Sequence, residues 1–474
     1  MDHLDQFYIG GAWVAAAGAD KIAVENPATG DVIAHIARGT AADVDAAVAA
    51  ARQAFDSGAC GDREFRLQVL RRILEAYGDH QQRIGDLIAE EIGAPRAFAR
   101  NVQAGSALNH LRKAIEVLES YDFEELRGTT MVRREPIGVA GLITPWNWPI
   151  NQVACKVFPA LAAGCSMVLK PSELSPLSAI ALTELFHEAG VAPGVFNLVQ
   201  GEGPEVGEAL ARHPDVDMIS LTGSARAGAA VTIAAAPTVK RVSLELGGKA
   251  ANILLDDVDL EPAVTRGVQN CMRNAGQSCS APTRMLVPHA MMAEAADIAA
   301  RVARGLRVGP PDAEGVDMGP LISARQLERV QAYIDSGIAE GARLVAGGSE
   351  RPEGLADGHF LNPTVFADVT PAMRIAQEEI FGPVLCLIGY DGDDAAVAIA
   401  NGTVFGLTAY VQSPNVERAR DMARRLRAGS VLLNYAPVDP NGPFGGFKQS
   451  GNGREYGLFG FEEFLEVKGM VGYA

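Results

Sequence analysis

Cys279 stands in the run Asn274-Ala275-Gly276-Gln277-Ser278-Cys279-Ser280-Ala281-Pro282, between two serines and behind a polar, glycine-containing stretch. Most free cysteines are small buried hydrophobes among apolar neighbours. This one lies in a loop of small polar residues that leaves its sulfur approachable. The chemistry open to such a thiol is nucleophilic attack, because the thiolate is the strongest ordinary protein nucleophile and only the thiolate reacts. On its own the loop leaves two readings, a nucleophile and a half-buried structural thiol.

The elements that would position this cysteine begin at Gly138. Apolar strands are expected at 139–144, 167–170, 195–199, 218–222 and 241–246, with helices at 150–163, 177–189, 204–212 and 226–235 between them. Strand and helix alternating at this spacing predict a parallel, doubly wound α/β sheet, which binds ligands beyond the carboxyl ends of its strands. Those ends carry Thr144-Pro145-Trp146-Asn147, Lys170-Pro171-Ser172-Glu173, Gly201-Glu202-Gly203, Thr222-Gly223-Ser224 and Glu245-Leu246-Gly247-Gly248. All five polar clusters thus fall on one edge.

Before this unit, residues 8–13 read as a hairpin and 32–36 as an extended piece. Residues 41–55, 63–93 and 98–120 carry the apolar spacing of amphipathic helices. After it, a second α/β unit is expected from about 249 to 434, with helices at 261–273 and 291–304 and strands at 285–287 and 384–388. The tail from Phe461 to Ala474 reads as extended, a strand to be added to another sheet or subunit.

At 474 residues the chain exceeds what one hydrophobic core holds, so two or three domains are expected. A net charge of -17 argues against nucleic acid and anionic membrane as partners, both of which call for excess Lys and Arg. It leaves room for an anionic small substrate, which a single Arg can hold. The six cysteines form no CxxC and no group with histidine at metal-ligand spacing, so no metal is expected and the thiols suit a reducing compartment. The acidic start Met1-Asp2-His3 lacks the layout of a signal peptide, and the most apolar run, 155–169, is broken by Lys156, Pro159 and Gly164. A cytoplasmic protein is the expectation.

Seven motifs then occur in order: Pro145-Trp146-Asn147-Trp148-Pro149, Lys170-Pro171-Ser172-Glu173, Leu221-Thr222-Gly223-Ser224, Glu245-Leu246-Gly247-Gly248-Lys249, Gly276-Gln277-Ser278-Cys279, Glu378-Glu379-Ile380-Phe381-Gly382-Pro383 and Pro443-Phe444-Gly445-Gly446-Phe447-Lys448. With them the sequence resembles the NAD(P)-dependent aldehyde dehydrogenase superfamily essentially from end to end. The resemblance implies a Rossmann-type NAD-binding domain (1–116 and 138–247), an α/β catalytic domain (248–447) and a small β oligomerisation domain (117–137 and 448–474). The assembly it implies is a homodimer or homotetramer.

The resemblance also implies roles. Cys279 would attack the aldehyde, and the resulting adduct expels hydride far more readily than a planar carbonyl can. Asn147 and the Cys279 backbone N–H would hold the oxyanion, and Glu245 would activate water against the thioester. Lys156 matches a lysine that orients or relays at the site, with helix packing as the competing role. Lys170 and Glu173 resemble the pair that binds the adenosine ribose, with Ser172 between them. Ser224, after Gly223, would meet the pyrophosphate at a helix N-terminus. Trp146 and Gly203 would line the cofactor cleft, Glu379 would bind the nicotinamide ribose and Phe381 would pack on the nicotinamide. Asn434 resembles a residue that supports the catalytic loop, whereas Pro443–Lys448 reads no differently from a plain loop. NAD is expected over NADP, since Glu173 would repel a 2′-phosphate.

A small-molecule aldehyde is the implied substrate, with Trp148 and Arg273 facing its tunnel. Arg273 would hold the far carboxylate of an ω-carboxylated semialdehyde such as succinic semialdehyde. The second Arg of such relatives is here Cys155, so a general aldehyde dehydrogenase is the first expectation and the semialdehyde the second. Two other fates compete. In a CoA-acylating relative the Glu245 base would be missing, and a non-catalytic structural descendant would lose Cys279 or Glu245 first. Both residues stand.

Overall fold

The computed structural model describes all 474 residues. An eight-stranded sheet runs in the order Ala12–Ala15, Gln6–Ile9, Phe196–Leu198, Ser166–Lys170, Val139–Ile143, Met218–Thr222, Arg241–Glu245, Gly451–Asn452. The five central strands are parallel. Both edges are antiparallel: Tyr8 pairs with Leu198 on one side, and Gly451 with Glu245 on the other. Antiparallel edges on a largely parallel sheet are common, and the alternation rule sees only the middle of such a sheet. Ala140, Leu142, Met167 and Leu169 feed one apolar layer, while Val139, Ile143 and Val168 feed the other. Successive strand residues point to opposite faces, so each strand is buried on both sides.

The helix Pro149–Ala163 starts directly beyond the strand Val139–Ile143. Pro149 suits the first helical position, and Gly164, at φ 94°, closes the helix in the left-handed region that glycine adopts freely. The strand end is thereby followed at once by Trp146, Asn147 and Trp148.

A second sheet of seven strands runs Arg343–Ala346, Thr364–Ala367, Val384–Tyr390, Arg284–Pro288, Ala251–Leu254, Thr408–Gln412, Ser430–Leu433. Only two of these strands, at 284–288 and 384–390, are anticipated from the sequence. The others are mostly four-residue runs, too short for periodicity to separate strand from buried helix.

A third sheet joins Glu124–Arg127, Thr130–Pro136 and Leu465–Val471. The tail therefore pairs within its own chain, Val471 opposite Thr130 and Leu465 opposite Pro136. The stretch expected to be extended from Phe461 opens inside a helix, Gly457–Glu462, before the strand begins. Of the residues assigned above to the small β domain, Gly451–Asn452 joins the first sheet, and the Gly457 helix packs on the helices at Ala104–Ser120 and Pro149–Ala163. The small sheet leaves Val467 66% and Val471 86% exposed. No helix is long and apolar enough to cross a membrane.

Candidate active site

Cys279 sits between the two large sheets, in the loop after the helix Leu260–Met272. The loop opens on three left-handed residues, Asn274 (φ 55°), Ala275 (54°) and Gly276 (69°). A side chain on Gly276 would collide with the backbone of Gly382, so only glycine fits that corner. Asn274 Nδ2 donates to the carbonyls of Asn147 (2.8 Å) and Gln277 (3.2 Å). The Ile322 N–H donates to Gln277 Oε1 (3.0 Å), and the Tyr410 hydroxyl donates to the Ser280 carbonyl (2.8 Å). Gln103 Nε2 donates to Asn274 Oδ1 (3.0 Å) from a helix far away in sequence. The cysteine itself is half-buried, and burial first, then the Glu379, Glu245 and Glu455 carboxylates, push its thiol up to about 12. At neutral pH it rests as the thiol.

Asn147 is buried against this loop and spends one amide hydrogen on the Gln277 carbonyl (3.0 Å), which leaves a second. Trp148 ties its indole N–H to Ser278 Oγ (2.8 Å). Glu245 ends the strand Arg241–Glu245 with its carboxyl only 2% exposed and neither oxygen hydrogen-bonded to protein. A buried carboxyl left unpaired is costly, and such groups concentrate at functional sites. Burial and then the Glu455 charge raise its pKa well above the carboxylate range, against the pull of Lys156 and Arg454. A Cβ on Gly445 would come within 2.5 Å of Glu245 Oε1. The Pro443–Lys448 turn is thus no plain loop: its glycine lets the backbone close behind the carboxyl.

Lys156 is buried in an ion pair with Glu455, a residue the sequence reading passes over. Burial, the largest single influence, lowers the lysine, but the charge and hydrogen bond of Glu455 together with Cys155 and Glu245 outweigh it, and the net shift is upward. Beside Glu245 there is therefore a fixed, internally neutral pair rather than a free ammonium.

The cofactor candidates gather along the same strand edge. Lys170 Nζ donates to the carbonyls of Pro171 and Gly201 (2.7 Å each) and reaches Glu173 Oε2 at 3.4 Å. Ser172 Oγ accepts from the Leu174 N–H (3.2 Å), so its hydroxyl serves the local turn. Gly203 faces open space. Ser224 caps the helix Ala225–Ala235, accepting from the Ala227 N–H (3.2 Å), with Gly223 before it. Glu379 Oε1 accepts the Gly248 N–H (2.9 Å), and Phe381, at φ 62°, stands edge-on to Trp146 with ring centroids 5.4 Å apart.

Two placements differ from expectation. Asn434 exchanges both side-chain hydrogen bonds with the Ser413 backbone, not with the catalytic loop, which Tyr410 supports instead. Arg273 is exposed and lies 5.0 Å over the Phe98 ring, which in turn meets Trp148 edge-on at 5.4 Å. It borders an open cavity of about 360 Å³ shared with Asp317 and Met318. Cys155, at the place of the second Arg, donates its thiol hydrogen to Glu455.

A family model described as the aldehyde dehydrogenase family matches residues 13–470. A 3-succinoylsemialdehyde-pyridine dehydrogenase of a Pseudomonas species is 54% identical, over 99% of this chain and 98% of its own. Among solved structures, a mutant of aldehyde dehydrogenase C from Pseudomonas syringae, complexed with NAD+ and octanal, superimposes with a TM-score of 0.99 at 55% identity, covering 100% of this chain and 98% of that one. A Mycobacterium tuberculosis aldehyde dehydrogenase complexed with NAD+ gives 0.95 at 41% identity, with 98% of each chain covered.

Proposed function

The chain belongs to the aldehyde dehydrogenase family, and we propose that it oxidises an uncharged aldehyde with an extended apolar or aromatic end to the carboxylic acid, using NAD. The observation that carries the reaction is one loop, one amide and one unpaired carboxyl brought together from three parts of the chain. Cys279, its thiol proton passed to solvent water, adds as thiolate to the aldehyde carbon. The free amide hydrogen of Asn147 and the Cys279 backbone N–H stabilise the oxyanion, already aimed before charge develops. Glu245, as carboxylate, takes a proton from the water that cleaves the thioester. Lys156 and Glu455 flank that base and hold its local field.

The strand edge suits a dinucleotide. Thr144 Oγ1, Thr222 Oγ1 and both polar atoms of the Gln200 side chain are buried there without protein partners. Lys170, Ser172 and Glu173 would hold the adenosine ribose end. Gly203, Gly223 and Ser224 would hold the pyrophosphate, and Trp146, Glu379 and Phe381 the nicotinamide end. Bound there, NAD supplies the hydride acceptor that takes the adduct to the thioester.

Preference for NAD over NADP rests on Glu173, whose charge would meet a 2′-phosphate. Because this carboxylate is part-exposed, removing it should change the kcat/KM ratio of the two cofactors by about fivefold, the scale of one solvated charge contact. Steady-state rates of the parent and Glu173→Gln with each cofactor test it. A ratio unmoved by the substitution would remove Glu173 from cofactor choice.

The substrate end follows from the row Ser278, Trp148, Phe98, along which aromatic surface leads away from the cysteine, with Arg273 stacked on the Phe98 ring. The relative complexed with octanal and the one named for a pyridine-bearing semialdehyde fit an apolar or aromatic far end. Each methylene buried gains about 0.8 kcal/mol, so octanal should exceed butanal in kcat/KM by at least about tenfold. Succinic semialdehyde should fall below both, and Arg273→Leu should change its kcat/KM by less than about threefold. A semialdehyde preference that disappears in Arg273→Leu would restore the carboxylate clamp.

A further inference from the structure

Left-handed backbone at Asn274 and Ala275 is unfavourable for residues with a Cβ, so the surrounding structure must impose it. Gln277 imposes part from within the loop. The Asn147 carbonyl, which accepts from Asn274 Nδ2, imposes another part, and a further contact comes from Gln103, which is fully buried. Both amide hydrogens of Asn274 are spent on carbonyls, so its Oδ1 can only accept and Gln103 must present nitrogen to it.

Gln103 reaches that place through a defect. The helical run from Arg96 to Ser120 contains one π turn, Ala99–Gln103, closed by the Ala104 N–H to the Ala99 carbonyl. One extra residue in a helix turns everything after it by about 100°, and such turns are frequent at functional sites. The helix Arg63–Ile92 is shaped to accept the turn. A Cβ on Gly85 would come within 2.5 Å of Arg100 Cα. Gln81 Nε2 donates to the Arg100 carbonyl (3.1 Å), and the Tyr77 hydroxyl donates to the Ala104 carbonyl (2.8 Å). Gln103 Oε1, by contrast, has no protein partner. A glutamine kept only for stability would bond both ends of its amide. This one spends its amide on the loop.

Resting on the assignment of Cys279 as nucleophile, we propose that Gln103 is a positioning residue for aldehyde oxidation: through Asn274 it holds the left-handed turn that sets Cys279 against Asn147, and the π turn is the device that delivers it. Gln103→Met keeps length and loses the donor. It should lower kcat by about tenfold or more, since small misplacements of a reacting group are expensive, while KM for the aldehyde and the Kd for NAD stay within about twofold. In an Asn274→Ser background the same substitution should cost less than about twofold, because coupled residues are not additive.

Gln103→Glu supplies a signature that packing does not produce. Its carboxyl donates to Asn274 Oδ1 only when protonated, so the deficit relative to parent should shrink as pH falls, whereas the Met deficit should stay constant. A kcat within about twofold of parent for Gln103→Met, an undiminished effect in the Asn274→Ser background, or loss of NAD binding together with activity would overturn the proposal. If the Met variant does not fold, a pH-independent deficit in Gln103→Glu overturns it equally. Survival of activity in Cys279→Ala would instead strike the nucleophile assignment, which the Gln103 variants leave untouched.

Discussion

Cys279→Ala should reduce aldehyde oxidation by at least about 10⁴-fold, the scale on which an enzyme loses its covalent nucleophile. The size follows from the geometry. No second thiol can substitute, since the other five cysteines are buried. Cys271 and Cys386 point their sulfurs at the carbonyls of Val384 and Ile375 in the second core. The proposed cofactor residues lie along the first sheet's strand edge, with Glu379 and Phe381 reaching it from the second unit, and none of their hydrogen bonds passes through the sulfur. NAD should therefore bind the variant within about twofold of the parent affinity. Alanine also removes a half-buried thiol without opening a large cavity, so melting should shift little. NADH formation with octanal, NAD titration and thermal unfolding on the same preparation check all three. Oxidation surviving within about tenfold of the parent would sink the assignment, whatever the cofactor affinity.

What the sequence makes legible is the polar edge. Each of five strands ends on residues unlike the apolar run before them, and a parallel sheet puts all such ends on one side. Asn147, Glu245 and the proposed cofactor residues stand out by that logic together with the motif order. Partners that arrive from elsewhere are not legible. Glu455 reads as one more surface charge beside Arg454, because nothing local says that Lys156 lies opposite. Gln103 sits inside an ordinary amphipathic pattern, which a single extra residue does not visibly break. Arg273 shows its distance from Cys279 along the chain but not the Phe98 ring that captures it. In the second unit, Ala251–Leu254 and Thr364–Ala367 are too short to declare themselves. The helix Ala324–Ala339 does carry a signal, the Ser323 side chain accepting from the Gln326 N–H, but a single serine before a mixed run specifies little.

Glu245→Gln should release about one equivalent of NADH per active site and then stall, because the step that forms the thioester does not need this carboxylate and the step that cleaves it does. General-base assistance contributes about 10²–10⁴-fold, so steady-state turnover should fall by that factor while the first turnover survives. Glutamine has the same shape, and Gly445 leaves room behind either side chain, so packing is conserved. The pH dependence carries an independent check. Burial first and Glu455 second raise the Glu245 pKa, and a base works only as carboxylate. The parent's kcat should accordingly fall as pH drops through that raised value, at a higher pH than an ordinary glutamate would give, and the Gln variant should lose this limb. Rapid-mixing traces across pH, with acid quenching to recover the acyl-enzyme on the Cys279 peptide, measure both effects. A Gln variant that turns over steadily with no accumulated thioester, or that keeps the parent's acid limb, would assign the base elsewhere.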